Sequence, residues 1–522
     1  MLLNNWQELI PEIYLSIIIT FLLGYGVFFV KFKSSILSLD SYSQSPLRGH
    51  VENIEGNKKI EIGKHNLFKH FNYLCLFVLF WTFLLLLSLN NSLTYIGDIL
   101  FIDTFSIYIK FIVLFSTLLI FFISINLYPQ YKISDYEFSL LLLLSLLGIF
   151  LIISARDLIV MYLAIETLSL SLYVLAAVVR SSTYSSEAGL KYFVLGALGS
   201  GILLFGCALI YFSTGLTNFD GLAHLIFLGH YDNALLIGSI FLIISLLFKL
   251  AAAPFHMWAP DVYEGSPTVV TIFFAVVPKI AILYLLYKIL YGPFVAIFSP
   301  HIQFLLIISG VLSIFIGTFA AIYQNRIVRL MAFSAIAHIG FILLGFSTGS
   351  FTSFYSSFIY IIIYIFMTIN SFTFILSVYP ANQHKYFADL LAFAKYQPIL
   401  AITFTFTLLS IAGIPPLAGF FSKFYILLSL IDHHFFIIAI IIVLLSVISA
   451  YYYIRIIQWM YFKNSSPFNL LNTITSSSTI SLSQALILGS TLYFILTFLI
   501  YPKPILLFTF DFFIDSILCI PA

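Results

Sequence analysis

The sequence predicts an all-α, polytopic membrane protein with about fourteen transmembrane helices. Two observations support this fold class. Of the 522 residues, 61% are hydrophobic and only 8% are charged, whereas about 25% of the residues in an ordinary soluble domain are charged. The apolar residues also fall into runs of the length that a helix needs to cross a bilayer, about 20 residues. The formal net charge of +2 is too small to indicate binding to nucleic acid.

The apolar runs define the order of the predicted helices along the chain. The predicted spans are 11–30, 67–90, 104–127, 138–155, 158–179, 190–213, 234–253, 268–291, 302–323, 327–348, 352–378, 399–430, 434–460 and 482–501. The one long polar segment, 31–70, is predicted to be a loop. The apolar tail 506–520 contains Asp511 and Asp515, which favours an interfacial helix over a fifteenth span. The N-terminal segment contains Glu8 and lacks a basic region, so we expect no cleavable leader.

Lysine and arginine residues alternate between the two sides of this predicted bundle. Loops that follow odd-numbered spans hold most of the basic residues, including those of segment 31–70. Loops that follow even-numbered spans, together with the tail, hold only Arg156 and Lys503. Since basic loops stay on the cytoplasmic or matrix side, both termini are predicted to face the periplasm or the intermembrane space.

Proline interrupts two of the predicted spans, near Pro254 and near Pro415. Proline removes a backbone donor and clashes with the preceding turn, so both helices are predicted to be discontinuous. The breaks lie five spans apart, which indicates two five-helix repeats of inverted topology. The predicted regions are therefore a three-helix region at 1–136, repeats at 137–299 and 300–463, and a C-terminal helix with its tail at 464–522. The simpler alternative is that both prolines only kink their helices.

Charged residues within the spans are the candidate functional residues. A charge at the centre of a bilayer costs at least about 2.5–3.5 kcal/mol, so such residues persist mainly where they line polar paths. Glu166 and Lys279 lie in the middle of their spans and cannot reach the membrane surface. Lys249 lies in the last turn before the first break, where the carbonyl end of the half-helix favours a cation. Lys423 follows the second break, where the N-terminal end of a half-helix should favour the neutral amine.

Four further groups of residues have a structural explanation that competes with a functional one. His338 lies within a span and can exchange a proton near neutral pH, although a helix histidine is often only a hydrogen-bonded core residue. Lys191 follows Glu187 by four residues, so a helix-surface ion pair explains it equally well. His256 lies near a membrane end. Long side chains near helix ends can reach the interface, and we interpret three residues in this way: Lys110, Lys288 and Arg455.

These residue types indicate proton transfer along a buried line. Burial favours the neutral form of a lysine, and a nearby carboxylate favours the charged form, so neighbouring sites respond to one another's protonation. Redox chemistry finds no support in the sequence. Cys75, Cys207 and Cys519 are scattered, which excludes a C-x-x-C pair for an iron–sulfur cluster or zinc, and no glycine-rich nucleotide motif follows a strand.

Several motifs resemble one known family in order and spacing. They are 164–166 (AIE), 186–192 (SEAGLKY), 201–206 (GILLFG), 254–268 (PFHMWAPDVYEGSPT) and 412–420 (AGIPPLAGF) with 423–425 (KFY). Between about residues 136 and 460 the chain is similar to the chain 2 family of NADH-ubiquinone oxidoreductase, in its fourteen-helix form. The resemblance implies an antiporter-like membrane-arm subunit of respiratory complex I, related to Mrp-type sodium/proton antiporters.

The resemblance also implies roles for the residues within the spans. Glu166 and Lys249 would form the charge pair of the first repeat, Lys279 the central relay, and Lys423 the second half-channel. His338 lies close to the family's titratable residue of the second repeat, and Lys191 is included in the proton relay. The chain would bind no cofactor or metal itself, because NADH, FMN, iron–sulfur clusters and ubiquinone belong to other subunits.

The implied partners are other membrane-arm subunits, including neighbouring antiporter-like subunits, and membrane lipids. The implied enzyme is NADH:ubiquinone reductase (H⁺-translocating), in the mitochondrial inner membrane, with both termini in the intermembrane space. Three alternatives remain at this point. They are a stand-alone Mrp-type cation/proton antiporter subunit, the related subunit of a photosynthetic NDH complex, and a purely structural membrane scaffold.

Overall fold

A computed structural model describes residues 7–42, 70–89, 94–96, 99–125, 136–229, 232–295, 301–379, 386–463 and 480–510 except 505 and 508. These residues are almost entirely helical. The helices are α1 Ile10–Tyr42, α2 His70–Leu87, α3 Thr104–Ser124, α4 Glu137–Ser154, α5 Leu158–Ala176, α6 Thr183–Thr214, α7 Phe219–Phe227, α8 Asn233–Leu250, α9 Trp258–Gly265, α10 Thr268–Tyr291, α11 Gln303–Ile322, α12 Ile327–Ser347, α13 Phe351–Val378, α14 Phe393–Tyr396, α15 Pro398–Ala412, α16 Ala418–Asp432, α17 Phe436–Tyr461 and α18 Leu482–Thr497. Strands β1 Thr94–Ile96 and β2 Leu100–Ile102 form one antiparallel hairpin.

Twelve of the described helices are long and apolar enough to cross a membrane, and α15 and α18 are shorter apolar helices. The helical membrane fold is therefore confirmed, whereas the count of fourteen stays a prediction. Three details differ from expectation. Helix α1 continues to Tyr42, beyond the predicted end at residue 30, because residues 31–42 contain neither proline nor glycine. The short α7 and the β-hairpin were not predicted. Residues 43–69 of the predicted loop and most of the predicted tail helix lie outside the described residues.

Helix α10 forms the centre of the bundle. Its side chains are almost all buried, and it packs against α3, α13, α4 and α8. A helix that is apolar all round can pack on every side in this way. Because Lys279 lies halfway along α10, its ammonium group is held in the centre of the protein.

Helix pairs α4–α5 and α11–α12 correspond to each other at the start of the two predicted repeats. Each pair packs closely through a glycine. A Cβ atom on Gly148 would lie 2.8 Å from Thr167 Oγ1, and one on Gly317 would lie 2.8 Å from the Phe333 carbonyl oxygen. The similar packing fits the two repeats, whose boundaries and inverted relation stay predictions.

Both predicted breaks are present. Helix α8 ends at Leu250, Ala251 adopts a left-handed conformation with φ 60°, and the short α9 follows after a non-helical segment. Helix α15 ends at Ala412, and Gly413, with φ 85°, turns the chain toward α16. Side chains replace the backbone bonds lost at the breaks: Ala253 N–H donates to Ser313 Oγ at 2.9 Å and Gly419 N–H donates to Ser410 Oγ at 3.0 Å. The prediction of two discontinuous helices is confirmed.

Candidate functional site

Two hydroxyl groups of α5 lie between Glu166 and Lys249. Ser169 and Tyr173 follow Glu166 by three and seven residues on α5, so all three side chains lie on one face. Ser169 Oγ donates to Glu166 Oε2 at 3.1 Å, and Ser169 also interacts with the nearby Tyr173 hydroxyl. Lys249 Nζ, which comes from α8, donates to the Tyr173 hydroxyl at 3.1 Å.

The two charges interact without direct contact. The Glu166 carboxylate acts electrostatically on the Lys249 ammonium, but among the described ion pairs none joins them. An ammonium group that is hydrogen-bonded to a hydroxyl can lose its proton without breaking an ion pair. The geometry therefore provides a continuous line of proton donors and acceptors from α5 to α8.

Lys279 lies in a pocket of tyrosines that its own helix helps to position. Pro278 has no N–H and leaves the Phe274 carbonyl without its helical donor, and the Tyr263 hydroxyl donates to that carbonyl at 3.3 Å. The Tyr364 hydroxyl accepts a hydrogen bond from Lys279 Nζ at 3.3 Å and donates one to the Ala275 carbonyl at 3.3 Å. Both tyrosine rings lie 5.6 Å from Lys279 Nζ, within the range of a cation–π interaction.

His338 connects this pocket with the second broken helix. Its Nδ1 lies 2.6 Å from the Tyr360 hydroxyl, and its ring lies 5.7 Å from the ring of Tyr364. His338 interacts electrostatically with both Lys423 and Lys279. A buried group that can both donate and accept a proton thus lies between the two buried lysines.

The structure corrects the interpretation of Lys423. Its Nζ donates to the Ile411 carbonyl at 3.0 Å and to the Ala412 carbonyl at 2.8 Å. These carbonyls form the C-terminal end of α15, which carries partial negative charge. The expectation that the amine lies at the N-terminal end of a half-helix is therefore wrong, because the flexible side chain reaches back across the break to the opposite helix end.

Lys191 lies apart from this buried line, in a network of ion pairs at the surface. It is half-exposed and contacts Glu187 Oε1 at 2.7 Å and Asp261 Oδ2 at 3.0 Å. Arg329 contacts Asp261 at 3.1 Å and Glu264 at 3.5 Å. Arg326 also pairs with Glu264, whose carboxylate accepts its hydrogen bond and raises the pKa of the guanidinium. The network joins α6, α9 and α12, and the relay role of Lys191 stays a prediction.

The three residues that we expected to reach the membrane interface have different surroundings in the structure. Lys288 Nζ donates to the Ile153 carbonyl at 3.2 Å, and Arg455 Nη1 donates to the Ile322 carbonyl at 3.2 Å. Lys110 is only 1% exposed and forms a buried ion pair with Glu12, so the expectation is wrong for Lys110. Sequence analysis also did not identify the hydroxyl groups next to the buried charges, because serine and tyrosine are common in apolar helices. These hydroxyl groups belong to Ser169, Tyr173, Tyr360 and Tyr364.

Comparison with known proteins assigns the family. The family pattern described as NADH:quinone oxidoreductase/Mrp antiporter, TM, matches residues 155–449. NADH-ubiquinone oxidoreductase chain 2 of Marchantia polymorpha is 41% identical over 416 residues, which are 78% of this chain and 83% of that protein. The chain belongs to the NADH:quinone oxidoreductase/Mrp antiporter family.

Two further proteins match most of the chain. NADH-quinone oxidoreductase subunit N of Rhodospirillum rubrum is 42% identical over 382 residues, covering 73% of this chain and 78% of that protein. A chain of respiratory complex I from Thermus thermophilus has a TM-score of 0.66 and 27% identity, covering 81% of this chain and 92% of that one. The matched family region includes every residue of the buried line, from Glu166 to Lys423.

Metal-ligating residues do not cluster in the described part of this family member. No group of three or more His, Cys, Asp or Glu side chains there could hold a metal ion. The buried groups are instead spaced singly, each beside a hydroxyl or carbonyl group. That arrangement suits the transfer of protons between neighbours.

Proposed function

We propose that this chain is the proton-translocating membrane subunit of NADH:ubiquinone oxidoreductase (complex I). Its relatives carry the names of that enzyme's chain 2 and subunit N. One observation carries the proposal further: Lys249, Lys279 and Lys423 bond neutral hydroxyl or carbonyl groups, and a buried histidine lies between two of them. A row of such groups can hold and pass a proton, whereas closed ion pairs would hold their charges in place.

The proposed path runs from the first broken helix to the second. Glu166 and Lys249 form the first site, Lys279 the central site, and His338 passes the proton on toward Lys423. Each proton leaves a nitrogen or oxygen atom as it binds the next, with the tyrosine hydroxyls serving as intermediate donors and acceptors. A proton on Lys279 repels one on His338, so that protonation at one site favours release at the next. Transfer against the membrane potential costs about 2.3 kcal/mol per charge per 100 mV.

Replacing the charged residues of the path with neutral ones tests the proposal directly. In membranes with intact assembly, Lys279→Met and Glu166→Gln are expected to reduce proton pumping and quinone reduction together, by roughly 10²-fold. A coupled pump cannot turn over with its relay blocked. Glu166→Asp keeps the charge and should have a milder effect. Full pumping by both neutralised variants would mean that these charges are structural.

The redox cofactors of the complex are proposed to lie in other subunits. We infer that NADH, FMN, iron–sulfur clusters and ubiquinone bind elsewhere, since the sequence has scattered cysteines and lacks a nucleotide motif. The subunit dissociated from the complex is expected to contain no stoichiometric flavin, metal or nicotinamide. Finding one in the purified chain, by absorbance or elemental analysis, would refute this part of the proposal.

The position in the membrane follows from the distribution of basic residues. We propose the mitochondrial inner membrane, with both termini in the intermembrane space and segment 43–69 in the matrix. Neighbouring antiporter-like subunits are the proposed partners, and α6 and α17 offer long exposed apolar faces to them, with Leu198 and Val447 among the exposed residues. Protease added to right-side-out mitoplasts should leave segment 43–69 intact. Cleavage of this segment would show that the orientation is the opposite of the one proposed.

A stand-alone cation/proton antiporter subunit is the second candidate, because the matching family includes Mrp antiporters. The buried line could serve either function. Blue-native electrophoresis separates them: a complex I subunit should co-migrate with NADH dehydrogenase activity. Migration without that activity would favour the antiporter, whereas activity in a photosynthetic membrane complex would favour the related plastid assembly.

A further inference from the structure

A second set of buried charges lies at the end of α10 that is far from the breaks. Asp103 is buried, and its Oδ1 accepts a hydrogen bond from the Tyr284 hydroxyl at 3.5 Å. Lys288 interacts electrostatically with Asp103 and with Lys110, and Lys110 is paired with Glu12. These side chains come from α1, α3 and α10, and none of them belongs to the line from Glu166 to Lys423.

The set continues to the protein surface. Lys288 Nζ and Arg156 Cζ each lie 5.7 Å from the centre of the Phe101 ring, so one aromatic side chain holds both cations. Arg156 forms an ion pair with Asp220, and their side chains are 14% and 37% exposed. Exposure therefore rises along the set, from the fully buried Tyr284 to the surface carboxylate of Asp220.

At the buried end of this set, one acceptor has no hydrogen-bond partner among the described residues. Glu12 Oε2 is buried and unpaired, although Glu12 Oε1 bonds Lys110. A buried carboxylate oxygen without a partner costs free energy, and a proton or a water molecule would satisfy it. The buried ion pair of Glu12 with Lys110 thus leaves one carboxylate oxygen open to a further hydrogen bond.

We propose that Asp103 is the proton-release group of the chain, and that protons leave from it past Lys288 and Arg156 to the surface at Asp220. The inference rests on the proposed proton relay. In the release step, the Tyr284 hydroxyl gives its proton to Asp103 and takes one delivered from the Lys279 ammonium through water. Tyr284 lies five residues beyond Lys279 on α10, a rise of about 7.5 Å along the helix and a turn of about 140° around it. The proton therefore has to pass around the helix through more than one water molecule.

The charge balance of the set explains why a proton would leave it. With Asp103 ionised, Glu12 and Asp103 balance Lys110 and Lys288. A proton on Asp103 leaves one positive charge in excess within a poorly hydrated region, where repulsion is strong. Arg156 and Asp220 form an ion pair at the surface end of the set, so their charges offset each other and do not compensate the excess charge near Asp103. Release then restores the neutral set.

The competing interpretation is that Asp103 only caps a helix. It is the N-cap of α3, where Ser106 N–H donates to Asp103 Oδ1 at 2.9 Å and Ser106 Oγ accepts from the Asp103 N–H at 3.0 Å. The two roles can be separated, because asparagine caps helices about as well as aspartate but cannot carry a proton. Asp103→Asn thus removes the proposed function and keeps the cap, whereas Ser106→Ala weakens the cap and keeps the carboxylate.

The experiment compares these variants with Lys279→Met in membranes where assembly of the complex is verified. Proton release to the outer side is followed with a pH dye, alongside quinone reduction. Asp103→Asn should lower proton release at least about tenfold, and Ser106→Ala should stay within about twofold of the wild type. Asp103→Glu should recover most of the release. A structural role predicts the reverse order for the asparagine and alanine variants.

Two outcomes distinguish this inference from the proposed relay. Normal pumping by Lys279→Met would refute the relay, and this inference with it. Blocked pumping by Lys279→Met with normal release by Asp103→Asn would refute only the release group. If Asp103→Asn does not assemble, Tyr284→Phe provides the test, since it keeps the ring packing and removes the hydroxyl that bonds Asp103. Full release by the assembled Tyr284→Phe complex would overturn the proposal.

Discussion

Lys249 Nζ donates a hydrogen bond to the Tyr173 hydroxyl at 3.1 Å instead of forming an ion pair with Glu166. The same hydroxyl interacts with Ser169, which donates to Glu166. The distance between the two charges is thus kept by a tyrosine that can relay a proton. Their coupling can change during turnover, because no closed ion pair has to be broken.

Tyr173→Phe is expected to slow proton pumping by roughly tenfold. The substitution removes only the hydroxyl that links Ser169 with Lys249, and the phenyl ring keeps its edge-to-face contact with Tyr192 at 4.8 Å. Pumping and quinone reduction should fall together in assembled membranes. Tyr192→Phe is the matched control, since it removes a hydroxyl from the neighbouring ring outside the line from Glu166 to Lys249. Equal effects of the two variants would contradict a relay through Tyr173.

The charged residues of the candidate site could be predicted from the sequence, but their partners could not. Glu166 and Lys279 are conspicuous because a charge within an apolar run is costly. The sequence has 33 tyrosines, and nothing in their immediate surroundings distinguishes Tyr173 or Tyr364 from the rest. Lys110 was misinterpreted for a related reason: its partner Glu12 lies 98 residues away in the chain, and only tertiary packing brings them together.

The fold, like the candidate site, could be predicted from the sequence only in part. Long apolar runs and prolines specify helices and breaks directly, so the helical membrane fold and both breaks follow from local sequence. Helix α7 and the β-hairpin were not predictable, because each is short and is held by contacts with another segment. Arg156 N–H, for example, donates to the Ile99 carbonyl at 3.0 Å, and Phe219 N–H donates to the Arg156 carbonyl at 2.9 Å.

Tyr360→Phe tests the step between Lys279 and Lys423. The Tyr360 hydroxyl lies 2.6 Å from His338 Nδ1 and fixes which ring nitrogen is free to exchange a proton. Losing it should reduce pumping several-fold, to a level between the wild type and His338→Phe. Phe341, which stacks on the Tyr360 ring, provides a control through Phe341→Leu, which alters packing without removing a hydrogen bond. A larger loss in the control than in Tyr360→Phe would assign the effect to packing.

Gly413→Ala should displace Lys423 from the carbonyl end of α15. A Cβ atom on Gly413 would lie 2.9 Å from Lys423 Cδ and 3.1 Å from its Nζ, and the residue has φ 85°. The left-handed conformation alone costs an alanine about 1 kcal/mol. We expect lower pumping together with a modest loss of stability, measured on the assembled complex.

Gly349→Ala separates these two effects. Gly349 also has a positive φ, of 70°, at the turn between α12 and α13, away from the buried lysines. It should therefore suffer the conformational cost and retain normal pumping. Normal pumping by Gly413→Ala would show that the contacts of Lys423 with Ile411 and Ala412 are dispensable.

The surface ion network should stabilise the protein through Glu264 far more than through Glu187. Glu264 is 12% exposed and pairs with Arg326 and Arg329, whereas Glu187 is 62% exposed and pairs with Lys191 one helical turn away. A partly buried carboxylate that accepts from two guanidinium groups keeps most of its interaction energy, but solvent screens an exposed pair. Glu264→Gln is therefore expected to cost roughly 1 kcal/mol, and Glu187→Gln less than about 0.5 kcal/mol.

Thermal unfolding in detergent measures this difference, because the free thiol of Cys75 is buried in the native protein and becomes reactive when the helices separate. The reaction rate of Cys75 with a thiol-specific dye, followed against temperature in a variant with Cys207 and Cys519 replaced by serine, gives the unfolding midpoint. High salt should reduce the effect of Glu264→Gln only slightly, since burial limits screening. Midpoints that fall equally in both variants would mean that α9 is held mainly by its apolar contacts, including the stacking of Trp258 on Tyr192.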